Sequence, residues 1–397
     1  MVHCSQKAVI IVPVADLLGA PIKKSFPHLS TQEGYDQLPL SGGNTNPYTS
    51  CMRLHQLLFN ETVDIIDRKG DELLIQVPNF FHTSSTNSTP QHSYWTQKKN
   101  VVTFKELNKK KLDLNNIPVT PSFVQKKINN NNVAVLAMPY TDSITQQTFS
   151  AGTRFVPTRT TERSEQDQKS HVTVYVFDKN SFTFKEIAIP RSLILNQTDD
   201  KTEIIKQFVE LIRRWTQVKG GFIPYVWGGT SFICISNGTY EETELMINNA
   251  ACSYYNLSDY TASPKTGMDC TGLVVRAAQM CGIPYFFKNS TTVATHLKPL
   301  KSTQKLQEGD IIWGQRHIMV VADLNNNTLF EARGRVYNGQ GKIQEIALNQ
   351  VFKGIDTYDQ LVKQYHDKKP LYRLGNDNEV VQTWPEFKLL KLASIWD

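Results

Sequence analysis

No stretch of this chain approaches the roughly 18 consecutive apolar residues that span a bilayer as a helix, so a membrane span is not expected. Residues 8–18 are apolar but are interrupted by Pro13 and Asp16, and only Lys7 supplies charge ahead of them. That is a poor signal peptide and a better β-strand. Cys4 has too little chain before it to be a lipoprotein cleavage site. Charge of one sign is also scarce, with a net +6 over 397 residues. The basic runs Lys98-Lys99 and 109–111 lie in polar, Asn-rich stretches with no interleaved aromatic residues, so nucleic acid is not an expected partner. Cysteine is sparse as well: Cys4, Cys51, Cys234, Cys252, Cys270 and Cys281 contain no CxxC pair and no His-rich partner spacing. This argues against a zinc site and against a dense disulfide framework, and no cofactor or metal is expected.

What the chain does have is an ordinary globular composition, 40% hydrophobic and 20% charged, at a length that implies two or three domains. The first half reads as two diverged copies of a small β unit. Apolar, β-branched runs at 9–14, 56–67, 72–77 and 101–107 make the first, and runs at 133–138, 149–156, 172–177 and 183–189 make the second. Thr-Phe-Lys-Glu recurs near each end, at 103–106 and 183–186. Residues 25–50 and 82–97 are polar and are expected as loops. The second half changes character. Ile204, Ile205, Phe208, Leu211, Ile212 and Trp215 fall at helical spacing, and 271–280 is a second helix. Strand-like runs follow at 310–313, 318–322 and 328–332, the last two joined by a turn-rich Asp323-Leu-Asn-Asn-Asn327 and hence a hairpin. The expected divisions are 1–118, 119–200 and 201–397: two small all-β barrels, then an α+β domain with an antiparallel sheet.

Three residues of the second half fit together chemically. Cys270, in Met268-Asp-Cys-Thr-Gly272, opens a helix, where unpaired N–H groups and the helix dipole favour thiolate and are expected to lower the thiol pKa. His317 begins a strand and is a candidate base for that thiol. Glu331, on the opposite strand of the hairpin, is a candidate to hold the imidazole in one tautomer. Cys281, Cys234 and Cys252 lack such context and are read as packing residues, and His296 as a surface group.

Four blocks in order extend the pattern: Gly221-Phe-Ile-Pro-Tyr-Val-Trp-Gly-Gly229, Asp269-Cys-Thr-Gly-Leu273, Leu306-Gln-Glu-Gly-Asp-Ile-Ile-Trp313 and His317-Ile-Met-Val-Val-Ala322. Together they resemble the NlpC-type cysteine peptidases, papain-like enzymes that cut γ-D-glutamyl bonds in murein peptides. The paired β units resemble bacterial SH3-like modules. The resemblance implies a Cys270 nucleophile, a His317 base and, at the third position, Glu331 where relatives often have His, Asn or Gln. It further implies that Asp269, Thr271 and Tyr225 contact substrate, with Asp269 meeting a free N-terminal ammonium, as in dipeptidyl peptidases acting on peptides that begin with L-Ala. Residues 230–268 exceed the usual spacing and are expected to form a lid or specificity loop. The partners implied are murein peptides or peptidoglycan, and the chain is expected to act as a monomer. The expected location is the bacterial cell envelope or periplasm if a leader has been removed, and the cytoplasm otherwise. The alternatives are a thioesterase, amidase or acyltransferase on the same fold, or an inactive cell-wall binding protein.

Overall fold

The computed structural model describes residues 5–38, 53–84, 87–125, 128, 130, 132–143, 145–158, 170–218, 222–233, 264–334, 341–375 and 378–397. The apolar run at 8–18 becomes two strands, β1 (Gln6–Ile10) and β2 (Val14–Leu18), parted around Pro13, which has no N–H to give a ladder. After the short helix α1 (Thr31–Asp36) come β3 (Arg53–Leu58), β4 (Thr62–Lys69), β5 (Glu72–Gln76), β6 (Ser93–Gln97) and β7 (Val101–Thr103). These strands form one antiparallel sheet in the order β3-β2-β6-β5-β4-β1-β7. Alternation along β4 and β5 sends Val63, Ile65, Leu73 and Ile75 inward onto Ala8, Ile10, Leu17 and Phe80. Among the described residues no ladder joins the edge strands β3 and β7, so the sheet is not closed into a hydrogen-bonded barrel.

Two expected loops are ordered elements instead. Ser30 and Glu33 form a reciprocal capping box that starts α1 inside the polar stretch 25–50. Residues 82–97 hold a short hairpin, His82–Ser84 with Asn87–Gln91, and then β6, which lies between β2 and β5. Tyr94 and Thr96 of β6 are fully buried. The strand was hidden because it is short and set in a polar run, while its backbone is paired by neighbours on both sides.

The repeated Thr-Phe-Lys-Glu does not mark a structural repeat. Thr103 caps the helix α2 (Phe104–Lys109) through a capping box with Glu106, whereas residues 183–186 open the strand β9 (Thr183–Pro190), which pairs with β8 (His171–Asp178). The same four residues take whichever structure their neighbours stabilise. The second unit consists of this hairpin and short ladders such as Ala134–Val135 with Arg154–Phe155.

From residue 201 onward the helix α3 (Lys201–Thr216) starts at Asp200, whose carboxylate accepts from the N–H groups of Thr202 and Glu203. Next come α4 (Cys270–Met280) and α5 (Ser290–His296). An antiparallel sheet completes the domain. Its strands are β10 (Ile311–Gly314), β11 (His317–Asp323), β12 (Thr328–Arg333) and β13 (Lys342–Ala347); beyond β14 (Leu371–Leu374) and β15 (Val380–Trp384), β16 (Phe387–Leu390) pairs on β10. The expected hairpin is therefore present as β11 and β12. One face of β11 (Ile318, Val320, Ala322) packs on the apolar side of α4, and the other (Met319, Val321) packs on Phe352, Leu361 and Trp384. That double burial explains its continuous apolar sequence. The core under α4 runs without a break into the second unit, and Trp215 Nε1 donates to the Ala137 carbonyl at 3.0 Å. The whole is a mixed α/β structure with antiparallel sheets.

Candidate active site

Asp269 is the N-cap of α4, with its carboxylate accepting from the Gly272 N–H at 2.5 Å, so Cys270 occupies the first helical position. The Pro224–Gly229 block braces this turn from below. Met268 N–H donates to Pro224 O, Asp269 N–H to Gly229 O and Gly228 N–H to Asp269 Oδ2. A Cβ at Gly272 would stand 1.9 Å from Gly229 O, so only glycine permits this approach. The Cys270 thiol accepts from the N–H groups of Ile318 and Thr271, which places it beside the first residues of β11. A lowered thiol pKa was expected. Instead, burial pushes it up to about 12 and the Asp269 carboxylate acts in the same direction, outweighing the N–H groups and the Lys288 ammonium. Cys281, the C-cap residue of α4, is buried and free of disulfides. Cys4, Cys51, Cys234, Cys252 and most of the expected lid, 234–263, lie outside the described residues.

His317 is turned by its Nε2 toward Glu331, 3.4 Å from Oε2, leaving Nδ1 as the ring nitrogen available for chemistry. The β11–β12 register pairs Val320 with Phe330, and continuing it sets Glu331 opposite Met319, on the same face as His317. Sequence reasoning missed a fourth residue beside these three. Arg373, on β14, pairs with Glu331 and lies 3.3 Å from His317 Nε2, with its guanidinium over the Trp384 ring. Gln344 Nε2 donates to Glu331 Oε1 at 2.9 Å, and Arg333 stands 4.0 Å away. Burial alone would raise the Glu331 carboxyl, but Arg373, His317 and Arg333 hold it down at about 2. Burial and then Arg373 push His317 down to about 4, against the pull of Glu331. At neutral pH the site therefore rests as a neutral thiol, a neutral imidazole and an ionised glutamate. The one clue to Arg373 is an arginine at the inward phase of Leu371-Tyr-Arg-Leu374, where only Tyr372 points out.

Asp269 and Thr271 do not face an open cleft as the resemblance implied. Lys288 Nζ lies 2.9 Å from Asp269 Oδ1 and 2.7 Å from Oδ2, and all three of these residues are buried. The Thr271 hydroxyl accepts from Lys288 Nζ at 3.2 Å and can donate to the Lys288 carbonyl (2.7 Å) or to Asp269 Oδ1 (3.0 Å). Asp269, expected to meet a substrate ammonium, is met in this structure by the chain's own Lys288. Tyr225 is half-buried beside the Met268–Cys270 turn, with its N–H on Gly341 O at 2.8 Å and its ring against Gly334. His296 is exposed, at the end of α5 and against the rings of Phe81 and Phe287.

The first unit docks on this region. Arg53 Nη1 reaches Trp227 O, Gln56 Nε2 donates to Lys265 O, and Arg276 of α4 pairs with Glu61 at 2.9 Å.

The sequence matches no family model and no curated protein. Its architecture matches that of an NlpC/P60 family protein from Bacillus cereus, with TM-score 0.50 at 14% sequence identity over 86% of this chain and 94% of that one. The chain therefore has an NlpC/P60-type fold along nearly its whole length. NlpC2 and NlpC1 from Trichomonas vaginalis align more loosely, with TM-scores of 0.29 and 0.28 at 11% identity, covering 88% and 86% of this chain and 94% and 88% of theirs.

Proposed function

We propose that the chain is a cysteine peptidase that hydrolyses γ-D-glutamyl to diamino-acid bonds in bacterial cell-wall peptides. The observation that carries the reading is the order thiol, imidazole, carboxylate. Cys270 at the start of α4 accepts the Ile318 N–H, and the residue before Ile318 is His317, backed by Glu331 at 3.4 Å. Because the resting pair is neutral, proton transfer accompanies attack. His317 takes the thiol proton as Cys270 Sγ bonds to the γ-carbonyl carbon, and N–H groups at the start of α4 face the oxygen that gains the charge. The tetrahedral intermediate collapses, its C–N bond breaks, and His317 returns the proton to the departing amine. Water, deprotonated by His317, then cleaves the thioester and frees Cys270. Glu331 stabilises the imidazolium at each stage. The first unit, seated on the Trp227–Gly229 block, would wall one side of the cleft.

The same fold suits a thioesterase, amidase or acyltransferase, and one observation favours it: the pairing of Asp269 with Lys288 removes the anion that would repel an apolar acyl chain. Mass spectrometry of L-Ala-γ-D-Glu-diaminopimelate and its N-acetylated form, incubated with wild type and Cys270→Ala, tests the leading reading. Loss of the diamino acid from either peptide, by wild type only, supports it. If neither peptide is cut, the reading is wrong.

A further inference from the structure

Resting on the peptidase reading above, we propose that Lys288 is a specificity-determining residue that stands where a substrate amine would bind, so that the protein takes peptides whose N-terminal nitrogen is acylated. Stem peptides still joined to glycan through an amide are of this class, and soluble peptides with a free ammonium are not required.

The Asp269 carboxylate is already saturated. A carboxylate offers about four lone-pair positions. Asp269 receives Gly272 N–H and Lys288 Nζ on Oδ1, Gly228 N–H and Lys288 Nζ on Oδ2, and has the Thr271 hydroxyl within 3.0 Å. No acceptor is left for a second ammonium. Lys288 is equally committed, with contacts to both Asp269 oxygens and to the Thr271 hydroxyl accounting for its three donors. It is also pinned from outside, because its backbone N–H donates to Phe81 O of the first unit at 3.0 Å. A loose surface lysine could swing away as substrate arrived, but this one is 5% exposed and held at both ends. The neighbourhood is also hostile to further positive charge. His55, fully buried, is held well below its usual pKa by burial, then by Lys288 and Arg276. An incoming ammonium would meet that same repulsion with its natural counter-ion already spent.

The test compares kcat/KM for N-acetyl-L-Ala-γ-D-Glu-diaminopimelate and the free-amine peptide on the full chain, with Cys270→Ala as the blank. Wild type is expected to cut the acetylated peptide at least as fast as the free one. Lys288→Met is expected to move the ratio toward the free amine by about tenfold, the scale of one charge-assisted hydrogen bond. A wild-type preference for the free amine of about tenfold or more overturns the assignment while leaving the peptidase reading intact. Cleavage of neither peptide removes both. The wild-type comparison decides the matter even if Lys288→Met does not fold.

Discussion

Arg373 stands between an acid and a base, 3.3 Å from His317 Nε2 and paired with Glu331. It keeps the glutamate ionised and the imidazole neutral, so its removal has a definite sign. In Arg373→Gln the His317 pKa rises, and the acidic limb of the pH–kcat/KM profile is expected to move up by about one pH unit. A profile unchanged in shape but lower in height would assign Arg373 to packing alone. Cys270 and His317 were legible because each is announced locally, one before a helix and one opening an apolar strand. Arg373 and Lys288 were not, because each acts across space on a carboxylate distant in sequence, 42 residues away for Arg373 and 19 for Lys288. Nothing in local pattern says which lysine of many will be buried against which aspartate.

At the scale of elements, the start of α4 is fixed by contact rather than by helix propensity. Glycine inside a helix ordinarily costs about 1 kcal/mol against alanine, yet Gly272→Ala would thrust a Cβ to 1.9 Å from Gly229 O. The substitution is expected to destabilise by about 2–3 kcal/mol, as overpacking does, and to depress turnover by displacing the thiol; urea denaturation beside a thiol-labelling rate would show both. The helices α3 and α4 and the hairpin of β11 and β12 were readable because their periodicity is strong and their turns are marked. Strand β6 was not, since Ser-Tyr-Trp-Thr-Gln is short and set in a polar run, and gains its place from partners on both sides. The Thr-Phe-Lys-Glu repeat misled for a related reason: at 103–106 a capping box wins, and at 183–186 a long hairpin does.

Over the whole molecule, several buried groups resist protonation together. His317, His55 and His82 all have pKa values lowered chiefly by burial, and Glu331 is lowered by its arginines and His317 despite burial. For these four groups the unfolded chain binds protons that the folded chain refuses, so their contribution to stability is held above pH 6.5 and falls on acidification. Each histidine that stays neutral down to pH 5 is expected to remove about 2 kcal/mol between pH 6.5 and 5. Glu331 extends the loss below about pH 4.5, its ordinary value. Chemical denaturation at pH 7, 6 and 5 measures this, and a stability flat across that range would contradict it.

The first unit is equally bound to the rest. Arg276 of α4 donates from Nε to Thr230 O, from Nη1 to Glu61 and from Nη2 to Gln56 O. Residues 201–397 expressed alone would lose these contacts and expose the apolar surface that α3 and α4 share with Phe59, Phe81, Leu136 and Phe155, and are expected to lack near-ultraviolet circular dichroism. This knot of contacts also bears on how the chain comes into being. Gln56 and Glu61 leave the ribosome long before Cys270, whereas Lys288, His317, Glu331 and Arg373 follow it. The thiol is therefore born without its base and set into a wall already built, so a half-made chain carries a sulfur that cannot yet cut.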